Sequence, residues 1–303
     1  MNDVMSSQNT LRRCQSARLL LSLGLLICWR EPSGQASDAE ALREVLTFHA
    51  SFNNRLDADM GLGDRKLYSA PSLSKRAEAK AGLPSTGEII LAQGQGHFGH
   101  ALRFTKKKSP LVFFQAQKNI AFQPTNWNGT VSFWLSTDPE KDLEPGFCDP
   151  IQITPRAWND AAFFVEFEKR AESIPFRLGV YSDLKVWNPQ NRKWADVPLS
   201  EKPLVTVEKP PFREGKWTHV LFTFENFNTG ASNGIARLYL DGKFQGALSP
   251  RQQTFTWDPA QTLVMLGLSY VGFFDELSIF KRPLSDSEIE VLYQLKGSLA
   301  PME

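Results

Sequence analysis

One carboxylate in the sequence occurs where a charge is costly to bury. Asp275 alternates with Phe273, Leu277 and Ile279, so period-2 counting places it on the apolar face of a predicted strand. A carboxylate on that face costs several kcal/mol unless hydrogen bonds or a cation compensate for the lost water. Asp275 is therefore predicted either to accept hydrogen bonds from backbone N–H groups or to bind a metal ion. Glu276 is expected on the opposite face, in contact with solvent.

Tryptophans and amide or carboxylate side chains are grouped in two segments that lack strand alternation. Trp158, Asn159 and Asp160 are adjacent, and Trp187 and Trp194 follow in a segment rich in asparagine. A sugar ring stacks on an aromatic face while amides and carboxylates bind its hydroxyls, so this mixture suits a glycan-binding site. Because tryptophan is usually highly buried, the alternative is that these rings cover strand ends and pack the loops.

Alternation of apolar and polar residues dominates the chain from Val45 onward. One face is apolar and the other more polar in most of these segments, which is typical of antiparallel sheets rather than doubly wound parallel sheets. The clearest segments are residues 46–52, 131–136, 163–168 and 217–224. In the third of these, Phe163, Val165 and Phe167 share one face, opposite Phe164, Glu166 and Glu168.

Turn and helix signals bound these strands. Asp241 and Gly242 stand between two apolar segments, and both tolerate the positive φ of a tight hairpin. Ser285 and Glu288 have the spacing of a capping box, which predicts a short C-terminal helix. Residues 57–87 are rich in Gly, Ser, Lys and Pro, which predicts a long surface loop with one helical turn at 74–81.

Residues 1–36 have the composition of an export signal. Arg12, Arg13 and Arg18 precede an apolar run at residues 19–27, and small residues stand before Ser37. This run is far shorter than the ~20 residues needed to span a bilayer. We therefore expect cleavage after Ala36, a secreted, periplasmic or cell-envelope protein, and no stable membrane insertion after cleavage.

Composition points to one nearly neutral domain at residues 37–303, with its core at 45–295. The formal net charge of the whole chain is +1, which gives no broad electrostatic surface for nucleic acid. Of the three cysteines, Cys148 alone lies beyond the predicted signal. No intrachain disulfide is expected, so the hydrophobic core must stabilise the fold.

Five segments together resemble the laminin-G-like, concanavalin A-like family of lectins and glucanases, in the family's order. They are residues 96–104 (GHFGHALRF), 129–134 (GTVSFW), 216–220 (KWTHV), 236–242 (ARLYLDG) and 272–285 (GFFDELSIFKRPLS). The resemblance implies an all-β, two-sheet antiparallel jelly-roll sandwich, here with a short C-terminal helix, and a ligand site on a concave face or at edge loops.

Some members of the wider family bind calcium at the sandwich edge, which would make Asp275 a ligand. Calcium takes about six to eight oxygens, so Asn53 and Asp57 are the predicted partners, and the structural alternative is favoured because one Asp is far below that number.

Glucanases share this architecture, so hydrolysis has to be considered. A retaining glycosidase uses two carboxylates about 5 Å apart, and the related glucanases carry them on one strand as E-x-D-x-x-E. Glu166 and Glu168 lack the intervening Asp, and no His-Glu-x-x-His motif is present. We therefore predict a secreted, non-catalytic module that binds a glycan or an extracellular protein. The alternatives are a structural envelope protein without a small ligand and a divergent glycoside hydrolase.

Overall fold

Alternating apolar side chains from two antiparallel sheets meet in one core, which confirms the predicted all-β sandwich. The computed structural model describes residues 33–300, with side chains from Asp38 onward. Gly34–Glu303 forms one unit that contains every strand of the described residues. No helix among the described residues combines the length and hydropathy needed to cross a bilayer.

The described strands and helices are short and follow one another closely. The strands are β1 (Leu46–Ala50), β2 (Met60–Gly61), β3 (Tyr68–Ala70), β4 (Lys80–Ala81), β5 (Ile89–Ala92), β6 (Ala101–Phe104), β7 (Leu111–Gln115), β8 (Trp127–Ser136), β9 (Gly146–Thr154), β10 (Ala162–Lys169), β11 (Phe176–Tyr181), β12 (Leu204–Val207), β13 (Trp217–Phe227), β14 (Ile235–Leu240), β15 (Lys243–Ala247), β16 (Leu263–Leu268) and β17 (Gly272–Phe280). The α-helices are α1 (Ser33–Val45), α2 (Pro139–Asp142), α3 (Leu184–Trp187) and α4 (Asp286–Gln294), and Leu73–Glu78 and Trp194–Asp196 are 3₁₀ helices.

The strand order places residues from distant parts of the chain side by side. In the nine-stranded sheet the order is β15-β14-β13-β8-β17-β1-β2, with β6 also paired to β17 and β5 to β6. In the eight-stranded sheet the order is β12-β11-β10-β9-β16-β7-β3-β4. Neighbours such as β8 and β17 are far apart in sequence, as in the Greek-key connections of a jelly roll.

An aromatic cluster occupies one end of the core. Trp127 is fully buried, with its ring centroid 4.7 Å from that of Phe224 and 5.5 Å from that of Phe163. Phe163 in turn stacks on Phe255 at 4.9 Å. Burying one such side chain contributes about 1.5–3 kcal/mol. Cys148 is buried and free, so in the described residues the core is stabilised by packing.

Residues 57–87 contain more structure than the predicted surface loop. β2 pairs with β1, β3 pairs with β7, and β4 pairs with β3, so these short strands extend the edges of both sheets. The helical turn predicted at 74–81 corresponds to the 3₁₀ helix Leu73–Glu78. Composition does not reveal such strands, because two or three residues are too few to show alternation.

The predicted export signal lies outside the described residues except for its last four, which begin α1. The rest of α1 packs beside the C-terminal helix. Leu42 of α1 shares a buried cluster with Leu292 of α4 and with Leu299. This cluster covers the outward face of the nine-stranded sheet, the face turned away from the core, near Leu221 and Phe280.

The predicted capping box begins α4. The Ser285 hydroxyl accepts a hydrogen bond from the Glu288 N–H at 3.3 Å, and Glu288 Oε2 accepts one from the Ser285 N–H at 2.8 Å. Arg282 also donates to both oxygens of the Glu288 carboxylate, at 2.9 and 2.6 Å. The hydrogen bonds from Arg282, followed by those from Ser285, lower the pKa of Glu288 to about 2.

We expect Glu288→Gln to lower the thermal unfolding midpoint near neutral pH and to have progressively less effect in acid. A lowered folded-state pKa means that the charged form stabilises the fold above the ordinary carboxyl pKa, and this stabilisation is lost as the pH falls toward about 2. Thermal melts from about pH 7 to pH 3 measure it. Glu290→Gln, on the exposed side of the same helix, is the control. A difference that stays constant with pH would contradict the prediction.

Candidate functional site

Asp275 lies on the outward face of the nine-stranded sheet, so the expected placement on the core face is wrong. It pairs with Trp134 of β8, but the register shifts before Ser278. Glu276, within this irregularity, has a φ of 54°. Because of this shift, Leu277 faces the core. Strict alternation from Leu277 back to Asp275 therefore gives the wrong face for Asp275.

Backbone N–H groups satisfy the Asp275 carboxylate. Oδ2 accepts from His97 at 2.8 Å and from Phe98 at 3.3 Å, and Oδ1 accepts from Glu276 at 2.9 Å. Gly96 permits this approach, since a Cβ there would lie 2.8 Å from Oδ2. Burial nevertheless raises the pKa of Asp275 to about 8, against the opposing effect of the three hydrogen bonds. The glycine-containing segment at 96–99 therefore covers a buried carboxylate.

Asn53 and Asp57, the other predicted metal ligands, make similar local contacts. Asn53 Oδ1 accepts from the His100 N–H at 2.8 Å, and Asp57 Oδ1 accepts from the Leu67 N–H at 3.0 Å. Within residues 33–300, no group of three or more His, Cys, Asp or Glu side chains is arranged to hold a metal ion. Asp275, Asn53 and Asp57 thus all accept backbone hydrogen bonds, and for Asp275 this is the structural alternative to calcium binding.

Glu276 is buried, whereas alternation places it in solvent. Its Oε2 accepts a hydrogen bond from the Ser298 hydroxyl at 2.8 Å and lies 3.5 Å from His49 Nε2. Burial lowers the pKa of His49 to about 4, so this ring is neutral at physiological pH. Burial, followed by the charge of Asp275, raises the pKa of Glu276 well above its usual value. Ser298, beyond α4, thus completes a buried polar network.

A cavity of about 280 Å³ opens on the outward face of the eight-stranded sheet. Strands β9, β10 and β11 supply its floor, and aromatic rings form much of its wall. The lining residues are Phe147, Asp149, Gln152, Trp158, Phe164, Glu166, Arg177, Tyr181 and Trp194. Aromatic surface with a few convergent polar groups is typical of a small-molecule site. We call this space the aromatic cavity.

Strand alternation and one glycine position the floor of the aromatic cavity. Because Phe163, Val165 and Phe167 enter the core, Phe164 and Glu166 must face outward. Phe164 pairs with Gly179 of β11, and its ring lies where a Gly179 Cβ would approach to 2.2 Å. The ring then stacks on Tyr181, with centroids 5.4 Å apart.

Two carboxylates and one guanidinium line the aromatic cavity. Arg177 Nη2 donates to Glu166 Oε1 and its Nη1 to Glu168 Oε2, each at 2.6 Å. Burial raises the pKa of Glu166 to about 6, against the opposing charge of Arg177. Burial also raises the pKa of Asp149 well above its usual value, and the Glu166 charge adds to this shift. Among the described residues the Asp149 carboxylate has no hydrogen-bond or ion-pair partner.

Two further polar atoms of the cavity lining lack partners in the described part of the chain, the Tyr181 hydroxyl and Arg177 Nε. Tyr181 is fully buried, and burial raises its pKa, so the phenol stays neutral. An unsatisfied buried group costs about 1–3 kcal/mol. Both atoms are almost inaccessible to solvent, so they lie beneath the surface of the cavity.

Trp158 and Trp194, two of the predicted glycan-binding residues, both line the aromatic cavity. Their rings meet edge to face with centroids 5.7 Å apart, and Trp158 remains 44 % exposed. Trp187 is outside the lining: its ring contacts Tyr181 at 5.1 Å, and its Nε1 donates to the Asn159 carbonyl at 2.9 Å. Trp187 therefore packs against a lining residue, Tyr181, and does not itself face the cavity.

Asn159 and Asp160 hold loops together instead of facing the aromatic cavity. Asp160 Oδ1 accepts a hydrogen bond from the Leu184 N–H at 2.8 Å, at the start of α3, and also contacts Arg156. Asn159 contributes the carbonyl that binds Trp187. Both residues thus position the tryptophans that follow in the chain.

The sequence interpretation missed Phe147, Asp149, Arg177 and Tyr181. For Arg177 and Tyr181 a signal exists, because they alternate with the core residues of β11. For Asp149 the register of β9 against β10 shifts near its position. Local sequence therefore does not reveal which face of the sheet it occupies.

A larger and more open hollow of about 660 Å³ lies on the nine-stranded sheet beside α4. Four of its charged side chains form ion pairs, Arg237 with Glu225 and Arg282 with Glu288, and Asp286 accepts a hydrogen bond from the Tyr239 hydroxyl. Phe244, 56 % exposed, lines it. Since these charges satisfy one another, this hollow offers a ligand less than the aromatic cavity does.

Solved structures with a similar fold include several binding domains. One is domain 4 of AbnA, a GH43 extracellular arabinanase from Geobacillus stearothermophilus, in complex with arabinotriose; its TM-score is 0.51 and its identity 17 %, over 82 % of this chain and 98 % of that one. The binding domain of Paraclostridial Mosquitocidal Protein 1 has a TM-score of 0.51 at 12 % identity, over 83 % of this chain and 52 % of that one. The botulinum neurotoxin serotype D binding domain has a TM-score of 0.52 at 15 % identity, over 84 % and 52 %. The chain spans about half the length of the two toxin domains, and at these identities the likeness shows the fold alone.

No curated protein matches the sequence closely enough to count as a relative. Residues 114–290, more than half of the chain, match the family described as the concanavalin A-like lectin/glucanases superfamily. The matched region runs from β7 to α4 and includes β9, β10 and β11. The protein therefore belongs to the concanavalin A-like lectin/glucanase superfamily.

Proposed function

We propose that this protein is an extracellular, non-catalytic module that binds carbohydrate in the aromatic cavity. The observation that carries the proposal is the exposure of two large rings, Trp158 at 44 % and Phe147 at 52 %, above a floor of buried polar groups. Exposed rings provide a stacking surface for a sugar, and the polar groups fix its orientation. The volume lies near the lower end of the ~300–1,000 Å³ typical of ligand pockets, which suits a short glycan segment.

The similar domain of an extracellular arabinanase, in complex with arabinotriose, supports this proposal. The proposed location outside the cell rests on the N-terminal sequence pattern. If the glycan is attached to an extracellular protein, that protein would bind at the same surface. The alternative is a structural envelope protein without a small ligand, and it predicts that no glycan binds.

Trp158→Ala is expected to raise the Kd for the bound glycan about tenfold, equivalent to about 1.4 kcal/mol. The ring provides stacking surface, and because it also packs on Tyr181 and Trp194, a melting curve verifies that the variant remains folded at the temperature of the titration. A polysaccharide array with the purified protein identifies the glycan, and titration calorimetry compares the variants.

The matched control is Phe244→Ala, which removes a ring that is 56 % exposed from the hollow on the nine-stranded sheet. It should leave the Kd unchanged. If Phe244→Ala weakens binding and Trp158→Ala does not, the site is on the other sheet. If the protein binds no glycan on the array, the structural or protein-partner alternative replaces the proposal.

Glycoside hydrolysis is a second candidate, because Asp149 and Glu166 share the aromatic cavity and both have raised pKa values. Against it, the Glu166 carboxylate is held by Arg177 at 2.6 Å. The Gly-x-Ser-x-Gly sequence at 230–234 matches the motif of a different enzyme class, the serine hydrolases. Here it connects two strands, whereas the nucleophile elbow of those enzymes joins a strand to a helix. We expect no release of reducing ends from the bound glycan. Release by the wild type that Glu166→Gln abolishes would establish an enzyme instead.

Calcium removal is expected to leave the unfolding midpoint unchanged. Asp275, Asn53 and Asp57 already accept backbone hydrogen bonds, and a tightly bound native-state ion would raise the midpoint by mass action. Thermal melts with EDTA and with added calcium measure this. A midpoint that falls with EDTA and recovers with calcium would restore the predicted metal site.

A further inference from the structure

We propose that the aromatic cavity selects glycans that carry a protonated amine, so that a glucosamine-type sugar binds more tightly than a neutral sugar of the same shape. This inference rests on the proposed carbohydrate-binding function and specifies its ligand class. It follows from the charges and rings that line the cavity.

The lining of the aromatic cavity has more acidic than basic side chains. Its charged residues are two carboxylates, Asp149 and Glu166, and one guanidinium, Arg177. Arg177 is already engaged, since it bridges Glu166 and Glu168 at 2.6 Å each. No other cationic side chain of the described residues lines the cavity. The Asp149 carboxylate is therefore left without a partner, and a ligand ammonium would supply one.

The raised pKa of Asp149 agrees with this arrangement. Burial raises this pKa well above the usual carboxyl value, and Glu166 adds to the shift more than Arg177 opposes it. A cation bound between the two carboxylates favours their ionised forms. Charge-assisted hydrogen bonds from an ammonium are also stronger than those from a neutral hydroxyl.

The rings of the wall suit a cation as well. Arg177 lies over the Phe147 ring at 5.3 Å, and Lys202 lies over the Trp194 ring at 4.2 Å, although Lys202 is outside the cavity lining. Over the Trp158 ring the described residues place no cation. Aromatic faces attract ammonium groups, and tryptophan does so most strongly. The Trp158 face is thus available for the amine-bearing sugar ring.

The same charges disfavour acidic sugars. A uronic acid would bring a third carboxylate into the aromatic cavity beside Asp149 and Glu166, and like charges in contact are repulsive in a partly buried site. Selectivity is therefore assigned to the carboxylates.

Calorimetry with three β-1,4-linked tetramers tests the proposal, using the full-length protein at about pH 7, where Glu166 with its pKa of about 6 is mostly ionised and an amine is mostly protonated. The tetramers are of glucosamine, glucose and N-acetylglucosamine, which share one backbone and differ at one substituent. The glucosamine tetramer is expected to bind at least about tenfold more tightly than the other two. Added salt should reduce this preference, because it screens the charge interaction.

Asp149→Asn is expected to abolish the preference for the amine while leaving binding of the glucose tetramer unchanged. The variant should fold, because Asn has nearly the shape of Asp and the change breaks no hydrogen bond or ion pair among the described residues, and its melting curve verifies this. Glu172→Gln, an exposed acid in the turn between β10 and β11, is the matched control and should keep the preference.

The outcomes separate this inference from the proposed function. Equal binding of the glucosamine and glucose tetramers, sensitive to Trp158→Ala, would overturn the amine selectivity and leave carbohydrate binding intact. A preference that persists in Asp149→Asn would assign it to another site and would also overturn the inference. Binding of no glycan, here and on the polysaccharide array, would overturn both proposals.

Discussion

Phe163 stacks on Phe255 and meets Trp127 at the centre of the aromatic core, and this contact fixes which residues of β10 face outward. Side chains alternate strictly along a strand, so Phe164 and Glu166 point away from the core as a direct consequence. A register slip of one residue would bury Glu166 and expose Phe163. The packing of β10 in the core therefore also determines which of its side chains line the aromatic cavity.

The outward faces of the two sheets differ in how they are covered. On the nine-stranded sheet, α1, α4 and Leu299 bury an apolar cluster against the strands. On the eight-stranded sheet, an apolar cluster around Phe113 and Met265 covers the region of β3, β7 and β16. The region of β9, β10 and β11 carries the aromatic cavity instead. The region of β9, β10 and β11 is thus a part of this outward face that neither apolar cluster covers.

Asp275 and Asp149 both have raised pKa values, yet their surroundings give them different roles. Asp275 accepts three backbone hydrogen bonds, so its oxygens are occupied and it fastens the loop at 96–99 to β17. Asp149 is also held in a desolvated place, yet its carboxylate has no such partner among the described residues. The first carboxylate therefore stabilises structure, whereas the second makes no such structural contact within the described residues.

The sequence by itself determined the features that depend on neighbouring residues. These include the alternation of β10, the capping box of α4, and the hairpin at Asp241 and Gly242, both of which have positive φ. The aromatic cavity could be predicted only in part: Trp158 and Trp194 were recognisable by type, but Asp149 and Arg177 were not. Their proximity comes from the pairing of β9 with β10 and of β10 with β11. Tertiary structure decided this, because the contacts join separate strands and because pairing irregularities at Asp149 and Glu276 shift which face a side chain occupies.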